Sequence, residues 1–264
     1  MSNLSENTWA VVTGASRGLG RAIAFELGAR GFSLFLVARS ESELSAFADL
    51  IKEQFGVQTL ILTLDLTQPD SADKLKDTCL ERGIHPTILV NNAGIGVYDR
   101  FHVADRHAMA RMNLLNVDAV VNTTYALLPL LLNRRKAYIM NVGSAAAFQP
   151  VPFMALYAAG KAYVRSFSFA VRHELKGSPV SVTCLSPGGV WTDFMAVAGS
   201  EAVSEKNKRF MMSAERCARA AVEGMLKGKA EVIPGWYNVL AAFMTRFTTT
   251  RFSARMAARI FAKD

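Results

Sequence analysis

Short apolar runs alternate along the chain with longer segments in which apolar residues recur every three or four positions. The short runs predict seven strands, at about 8–13, 32–38, 57–64, 86–90, 137–142, 179–185 and 230–233. The longer segments predict helices at about 19–30, 41–55, 69–82, 105–132, 155–176 and 214–227. Such alternation is typical of an α/β protein, so we expect a doubly wound parallel sheet with helices on both faces.

Two segments depart from this alternation. Residues 188–212 carry glycine, serine and mixed charge without a clear period, which indicates a substrate loop. Residues 238–263 carry three arginines spaced four apart beside apolar residues, which predicts a basic amphipathic helix on a partner subunit or an anionic membrane. The length of 264 residues suits one domain, and no linker interrupts the chain.

Composition excludes several classes of protein. Hydrophobic residues make up 51% of the chain, too many for a disordered protein, yet no apolar run approaches the roughly 18 to 20 residues that span a bilayer. The polar start lacks the basic flank and apolar centre of a secretory signal, so we expect a cytoplasmic protein. Three cysteines without CxxC spacing and four histidines without metal-ligand spacing predict neither a disulfide framework nor a metal site.

The net charge of +8 raises the question of a nucleic-acid partner. Residues 1–200 hold 18 basic and 16 acidic residues, a net charge of +2, whereas residues 201–264 hold 12 and 6, a net charge of +6. The basic excess is therefore a C-terminal feature, and the chain contains no zinc finger, basic zipper or RNP motif. We expect no nucleic-acid partner.

A glycine-rich turn joins the first predicted strand to the first predicted helix. Residues 13–20 read TGASRGLG; glycines let the backbone approach a pyrophosphate, and the helix N-terminus offers free N–H groups. The position of this turn favours a nucleotide-binding loop over a plain turn. The residues expected to bind the nucleotide here are Gly14, Ser16, Arg17, Gly18, Leu19 and Gly20.

The end of the second strand indicates which dinucleotide is bound. NAD-binding folds usually place there an acidic residue that accepts from the ribose 2′-hydroxyl, but this chain has Arg39. Arg39 can pair with a 2′-phosphate, which Arg17 can also approach from the glycine loop. NADP(H) is therefore favoured over NAD(H), with two solvated surface arginines as the alternative interpretation.

Polar residues follow the third and fourth predicted strands. In the turn at 91–94, NNAG, we expect the two asparagines to satisfy backbone groups and the backbone of the next two residues to face the cofactor. Asp65 either accepts from the adenine amino group or forms a turn. The cofactor contacts expected at this edge are Asp65, Leu66, Asn92, Ala93 and Gly94.

Tyr157 and Lys161 are four residues apart, hence on one face of a helix. A nearby ammonium lowers the pKa of a phenol and so lets a tyrosine exchange a proton near neutral pH. Ser144 follows the fifth strand, so its hydroxyl projects from the carboxyl edge of the sheet, where ligands bind in such folds. The pair alone is a weak signal, but the three residues together predict acid–base chemistry.

The order and spacing of these motifs resemble the single-domain branch of the short-chain dehydrogenase/reductase family. The motifs are TGxxxGxG at 13–20, NNAG at 91–94, Ser144 with YxxxK at 157–161, and Pro-Gly at 187–188. The resemblance implies a Rossmann-type fold and one dinucleotide-binding catalytic domain over residues 1–264. It also implies a homodimer or homotetramer and an oxidoreductase that interconverts a ketone or aldehyde and an alcohol.

The resemblance further implies a role for each site residue. Tyr157 is the general acid in carbonyl reduction, Ser144 holds the carbonyl oxygen, and Lys161 lowers the pKa of Tyr157 and binds the nicotinamide ribose. Asn116 holds a water that connects the lysine to solvent, with Asn113 as its rival for that position. Further cofactor contacts are implied at Pro187, Gly188, Val190 and Thr192.

The substrate and the C-terminal segment are less closely defined. Apolar residues near the site favour an acyl, steroid-like or aromatic substrate unless they only pack the loop. They are Phe148, Val151, Phe153, Met154, Trp191, Phe194, Met195 and Val197.

Members of the resembled family usually form dimers and tetramers through helices and C-terminal segments. For residues 238–263 the resemblance therefore favours a subunit contact over a peripheral membrane contact. The alternative function, a non-catalytic sensor or scaffold, is disfavoured by the complete set of serine, tyrosine and lysine.

Overall fold

The computed structural model describes residues 8–194, 198–199 and 211–262. Its centre is a seven-stranded parallel sheet in the order β3-β2-β1-β4-β5-β6-β9, and a two-stranded sheet pairs β7 with β8. The strands are β1 (Trp9–Thr13), β2 (Ser33–Ala38), β3 (Thr59–Thr63), β4 (Pro86–Asn91), β5 (Ala137–Val142), β6 (Val180–Leu185), β7 (Val190–Trp191), β8 (Met212–Ser213) and β9 (Glu231–Val232). All seven predicted strands are present in the large sheet, and the predicted fold class is confirmed.

Helices connect the strands and cover both faces of the sheet. They are α1 (Gly18–Gly28), α2 (Glu41–Phe55), α3 (Ser71–Glu81), α4 (Arg106–Asn113), α5 (Ala119–Leu132), α6 (Ala155–Glu174), α7 (Ala214–Leu226), α8 (Trp236–Met244) and α9 (Thr250–Ile260). The helix predicted at 105–132 is continuous, but a π-helical turn, Leu114–Asp118, lies at its middle. The single helix predicted at 238–263 is instead a pair, α8 and α9, because a 3-10 turn and an extended residue, Thr248, separate them.

The strand sequences explain why the sheet is buried on both faces. Successive side chains of a strand point to opposite faces, so Ala10 and Val12 of β1 pack with α1, α2 and α7. Trp9 and Val11 pack on the other face, against residues of α3 and α5. A strand buried on both faces has no polar side to present, which accounts for the continuous apolar runs in the sequence.

The helix formed by α4, the π-helical turn and α5 is the most apolar long helix of the described chain. It runs over 27 residues, Arg106–Leu132, and contains an 18-residue window of mean hydropathy 1.3. By length and composition it could cross a membrane, although 44% of that window is buried within the fold. Polar residues within this helix, Asn116, Asp118 and Asn122, interrupt its apolar residues, so a search for an uninterrupted apolar run does not find it.

The predicted substrate loop, 188–212, is anchored at both ends. Val190 pairs with Met212 in the two-stranded sheet, and the Met212 N–H donates to the Gly189 carbonyl at 3.0 Å. Two-residue strands are too short to produce a sequence period, so this pairing was not predicted. Residues 195–197 and 200–210 lie outside the described residues.

Candidate active site

A cavity of about 530 Å³ opens at the carboxyl edge of the sheet, where β1 lies between β2 and β4 and the strand order reverses. Ligands bind at such a switch point in doubly wound sheets. All the predicted cofactor-binding residues line it: Gly14, Ser16, Arg17, Gly18, Leu19, Gly20, Arg39, Asp65, Leu66, Asn92, Ala93, Gly94, Tyr157, Lys161, Pro187, Gly188, Val190 and Thr192. Ser144 lines it as well, whereas Asn116 lies outside its lining.

The glycine loop has the shape that a pyrophosphate requires. Gly14 and Gly18 have φ values of 65° and 57°, a left-handed conformation that glycine adopts without strain. A Cβ on Gly20 would collide with Asn92 Nδ2 and with the Gly14 carbonyl. Arg17, at the N-cap of α1, makes no side-chain capping hydrogen bond to a residue that the structure describes. The first N–H groups of α1 are therefore free to bind an anion.

The two asparagines at the end of β4 are hydrogen-bonded within the protein, but only Asn92 satisfies backbone groups as predicted, since Asn91 bonds to side chains. Asn91 is buried and donates to Thr124 Oγ1 and to Asn141 Oδ1, both at 2.9 Å. Asn92 donates through Nδ2 to the carbonyls of Thr13 and Gly14, at 2.9 and 3.2 Å. The Asn92 bonds fasten the glycine loop to the turn after β4.

Asp65 forms a turn and an ion pair. Its Oδ1 accepts from the N–H of Thr67 at 3.0 Å and from the Thr67 hydroxyl at 2.8 Å, while its Oδ2 accepts from Arg111 Nη2 at 2.8 Å. Partial burial raises the pKa of Asp65, but the Thr67 hydrogen bonds and the charges of Arg111 and Arg39 outweigh it and hold the pKa below its usual value. Of the two roles left open by the sequence, the structure shows the turn-forming one.

Arg17 and Arg39 are exposed and line the same cavity. Ser40 lies beside Arg39 at the end of β2, where an acidic residue would select a ribose 2′-hydroxyl. Glu43 also lines the cavity, but it is an exposed residue in the first turn of α2 and does not occupy the strand end. The end of the cavity next to β2 therefore carries two guanidinium groups that a phosphate could reach.

The hydroxyl groups of Ser144 and Tyr157 lie in the wall of the same cavity, and the Ser144 side chain interacts with the Tyr157 phenol. Ser144 follows β5 and also accepts from the Ala146 N–H at 3.1 Å, which orients its side chain. Burial raises the pKa of Tyr157, and the Ser144 side chain opposes that effect without overcoming it. The phenol is consequently protonated near neutral pH and is a proton donor in this structure.

Lys161 is buried, with 5% of its surface exposed, and its Nζ donates to the Val142 carbonyl at 2.8 Å. Burial lowers the pKa of Lys161 to about 8. The ammonium lies 5.7 Å from the centre of the Tyr157 ring. In this arrangement burial, rather than the ammonium, determines the direction in which the pKa of Tyr157 is displaced.

Asn116 lies on the π-helical turn between α4 and α5. Its side chain is buried and hydrogen-bonded to the backbone of Ile95, and its Oδ1 would stand 3.1 Å from a Cβ on Gly94. Asn113 is only partly buried, one turn earlier. The structure thus places Asn116, not Asn113, against the cofactor-facing turn.

The apolar residues predicted around the substrate divide into two groups. Val151, Met154 and Phe194 line the cavity, and the Phe194 ring lies 5.5 Å from the Tyr157 ring. Those that do not line it are Phe148, Phe153 and Trp191, while Met195 and Val197 lie outside the described residues. Phe148 packs instead under the Arg165 guanidinium, 4.6 Å from its ring centre, because its side chain is directed away from the cavity.

Sequence reasoning missed several residues of the cavity wall, among them Ile95, Leu115, Gln149 and Phe261. Phe261 follows α9 at the far end of the chain, and its carbonyl accepts from the Tyr98 hydroxyl at 2.7 Å. A contact between residues 163 positions apart leaves no local pattern in the sequence. The only signal was the apolar character of the C-terminal segment.

Comparison with known sequences decides the family. A sequence model described as short chain dehydrogenase matches residues 8–202 of this chain. The chain belongs to the short-chain dehydrogenase/reductase family. As a member of it, the protein is an oxidoreductase that acts on CH–OH and C=O groups, and the family assignment supports a nicotinamide dinucleotide as cofactor.

Two curated relatives and one solved structure show the extent of the likeness. The chain is 30% identical over 255 residues to human 17-beta-hydroxysteroid dehydrogenase type 3, covering 93% of this chain and 81% of the relative. It is 30% identical over 248 residues to mouse very-long-chain 3-oxoacyl-CoA reductase, covering 89% and 79%. A short-chain dehydrogenase from Sphingobium yanoikuyae in complex with NADPH matches with a TM-score of 0.80 and 27% identity, over 91% of this chain and 94% of that one.

The prediction of a cytoplasmic location is wrong. The names of the curated relatives specify a steroid and a very-long-chain acyl-CoA, both of them lipids, and the helix Arg106–Leu132 is apolar enough to cross a membrane. The prediction depended only on the absence of recognised targeting and apolar features, which does not specify a location. Neither of those absences bears on an enzyme that associates with a membrane through its surface.

Proposed function

We propose that this protein is an NADP(H)-dependent oxidoreductase that interconverts an apolar ketone or aldehyde and the corresponding alcohol. The observation that carries the proposal is that Ser144, Tyr157 and Lys161 line a single cavity, with Lys161 one turn after Tyr157 on α6. The opposite end of this cavity carries Arg17 and Arg39. An acid–base group and a phosphate-binding end thus share one site.

The residues present fit a dinucleotide. The glycine loop would hold the pyrophosphate on the N-terminus of α1, since a Cβ at Gly20 would fill the space that the loop leaves open. Arg17 and Arg39 would hold a 2′-phosphate, which supports NADP(H) over NAD(H). Thr192, whose side chain stands 3.4 Å from a Cβ on Gly18, would contact the carboxamide end. When bound, the nicotinamide supplies or accepts the hydride.

In the reducing direction, Tyr157 donates its proton to the carbonyl oxygen of the substrate. The raised pKa of Tyr157 keeps the phenol protonated at neutral pH, as a general acid requires. Ser144 donates a hydrogen bond to the same oxygen and holds it beside the phenol. In the oxidising direction the same phenol, once deprotonated, accepts the proton of the alcohol.

Lys161 binds the nicotinamide ribose hydroxyls in this proposal. Its pKa of about 8 leaves most of the ammonium charged at pH 7, so three N–H donors remain available. One of them is already engaged by the Val142 carbonyl, which fixes the direction of the side chain. Asn116, fastened to Ile95 behind the cofactor-facing turn, would hold the water that connects Lys161 to solvent.

An apolar substrate is supported by the cavity wall near Tyr157. Val151, Met154, Phe194 and Phe261 present aliphatic and aromatic surface there, and Gln149 adds a single amide. The names of the two relatives, a steroid dehydrogenase and an acyl-CoA reductase, agree with that chemistry. We infer an acyl, steroid-like or aromatic carbonyl compound.

We also propose that the protein forms a homodimer or homotetramer. Large apolar side chains on the outer surfaces of α5 and α6 support this, with Tyr125 82% and Tyr163 50% exposed. Sedimentation velocity of the wild-type protein should give a mass of two or four chains, and a single-chain mass at micromolar concentration would exclude the assembly.

A carbonyl panel tests the proposed function. NADPH oxidation is measured with a steroid ketone, a long-chain 3-oxoacyl thioester, an aromatic ketone and acetone, and the corresponding alcohols are tested with NADP⁺. We expect turnover with at least one of the three apolar ketones and little with acetone. Failure of every carbonyl compound and alcohol to react would exclude the function, and preference for acetone would exclude the apolar substrate.

A further inference from the structure

The helix α8 carries its large apolar side chains on the outside of the protein. Trp236 is 80% exposed, Phe243 50% and the adjoining Phe247 70%, and Val239 and Leu240 are exposed on the same face. Positions 236, 239, 240, 243 and 247 form one helical face, whereas the buried positions are the smaller Asn238 and Ala242. This is the reverse of the arrangement in a helix whose purpose is to cover a core.

The helix α9 repeats the arrangement with a basic stripe beside it. Its buried positions are small, Ser253 and Ala257, while Phe252, Met256 and Ile260 are exposed at intervals of four. A parallel row of exposed arginines adjoins this apolar row: Arg251, Arg255 and Arg259. Each exposed apolar residue of α9 therefore follows an exposed guanidinium directly in sequence.

No acidic residue occurs between 232 and 262, so α8 and α9 themselves supply no carboxylate to the arginines of this region. Together with Arg246, on the 3-10 turn between the two helices, they place four positive charges beside eight of the large exposed apolar side chains of this region. The C-terminal surface, as we call it, consists of Trp236, Val239, Leu240, Phe243, Arg246, Phe247, Arg251, Phe252, Arg255, Met256, Arg259 and Ile260.

The C-terminal surface is continuous with the wall of the active-site cavity. Phe261 directly follows α9, lines the cavity and is fastened by the Tyr98 hydroxyl. At the start of α8, Asn238 is buried and occupies the space that a side chain on Gly188 would take. The start of α8 and the residue after α9 therefore both pack at the rim of the active-site cavity.

We propose that the C-terminal surface docks on an anionic phospholipid bilayer. Exposed aromatic and aliphatic side chains beside a row of arginines are the features of an interfacial helix, with the apolar face in the acyl boundary and the cations at the headgroups. A second copy of the chain fits less well. In a two-fold interface this arginine-rich surface would face its own copy, and the surface contains no carboxylate that could neutralise the arginines. Delivery of an apolar substrate from the bilayer to the cavity rests on the proposed function, whereas the docking itself does not.

Sedimentation with vesicles tests the docking. The full-length protein is mixed with vesicles of phosphatidylcholine and phosphatidylserine, and with vesicles of phosphatidylcholine alone. We expect binding to the anionic vesicles that weakens with added salt. The triple variant R251A/R255A/R259A should bind them on the order of a hundredfold more weakly, because each basic residue near such a surface contributes about fivefold.

A matched variant controls for net charge. K52A/R82A/K176A removes the same number of charges near the C-terminal ends of α2, α3 and α6, at the opposite edge of the sheet, and should bind within about threefold of the parent. A second pair of variants tests the contribution of the apolar side chains. W236S is the test and F101S its control, since both residues are highly exposed but only Trp236 belongs to the C-terminal surface. W236S should weaken binding and F101S should not.

Three outcomes would overturn the docking: no binding of the parent to anionic vesicles, equal losses in the test and control variants, or a change of sedimenting mass in R251A/R255A/R259A without vesicles, which would indicate a second copy. NADPH oxidation with a water-soluble ketone, measured without vesicles, should be unchanged in that variant. Normal turnover without vesicle binding would therefore refute the docking alone, and vesicle binding without turnover would refute the proposed function alone.

Discussion

The side-chain amide of Asn116 and the backbone of Ile95 exchange two hydrogen bonds. Nδ2 donates to the Ile95 carbonyl at 2.8 Å, and Oδ1 accepts from the Ile95 N–H at 2.9 Å. Asn116 stands on the π-helical turn, Leu114–Asp118, and Ile95 directly follows the turn after β4. A local irregularity in a long helix thus brings one amide against the wall of the cofactor cavity, as π-helical turns often do at functional sites.

Replacing Asn116 should loosen this wall. Asn116→Ala removes both partners of the Ile95 backbone, and we expect the free energy of unfolding to fall by about 2 kcal/mol. Asn113→Ala, one turn earlier at a partly buried position, should change it by less than about 0.5 kcal/mol. Urea unfolding of both variants measures the difference, and equal effects would show that the two hydrogen bonds do not stabilise the turn.

Local patterns in the sequence were sufficient to predict the sheet and the centre of the site. Strands β1 to β6 are bounded by turn residues, and their carboxyl ends in a parallel sheet share one edge, so the positions of Gly14, Ser144 and Gly188 follow from chain order. The spacing of Tyr157 and Lys161 is itself helical. These are short-range features, and each has a physical consequence that the sequence alone makes visible.

Contacts between distant segments could not be predicted in this way. Arg111 pairs with Asp65 across 46 positions, and Phe261 reaches the cavity through a hydrogen bond from Tyr98. Neither contact has a spacing or a composition that marks it. The direction of the Phe148 side chain, away from the cavity and under Arg165, likewise depends on packing that becomes definite only in the folded chain.

A side chain at Gly20 should weaken the binding of the dinucleotide to the glycine loop. In Gly20→Ala the new Cβ would meet Asn92 and the Gly14 carbonyl, so we expect the affinity for NADPH to fall at least tenfold by fluorescence titration. Gly31→Ala is the control, because its Cβ meets nothing within 4 Å and only backbone strain of about 1 kcal/mol is added. Parental affinity in Gly20→Ala would place the dinucleotide elsewhere.

Charge at the end of β2 should determine cofactor preference. Arg39→Asp replaces a partner of the 2′-phosphate by an acceptor for the 2′-hydroxyl, and we expect the ratio of kcat/KM for NADPH to that for NADH to fall at least tenfold. Arg82→Asp makes the same charge change at the exposed end of α3 and should leave the ratio unchanged. A parent enzyme that already prefers NADH would contradict the cofactor proposal, whatever the variants do.

The buried ammonium of Lys161 should make stability depend on pH in the alkaline range. Its pKa is lowered by burial from 10.5 to about 8, so between these values the unfolded chain holds a proton that the folded chain has released. Stability relative to Lys161→Met should therefore rise as the pH increases from about 8 to 10.5, by up to roughly 3 kcal/mol. Urea unfolding of both proteins across that range checks it, and a constant or falling difference would mean that Lys161 titrates normally.

The most direct test of the acid–base assignment is the turnover of Tyr157→Phe with a ketone that the parent reduces. The ring is retained and only the proton donor is removed, so we expect kcat to fall by about a thousandfold while the Kd for NADPH stays within about threefold. Tyr125→Phe, the same change at a residue 82% exposed on α5, should keep full activity. Parental turnover in Tyr157→Phe would contradict the account at its centre, because a group other than Tyr157 would then have to supply the proton.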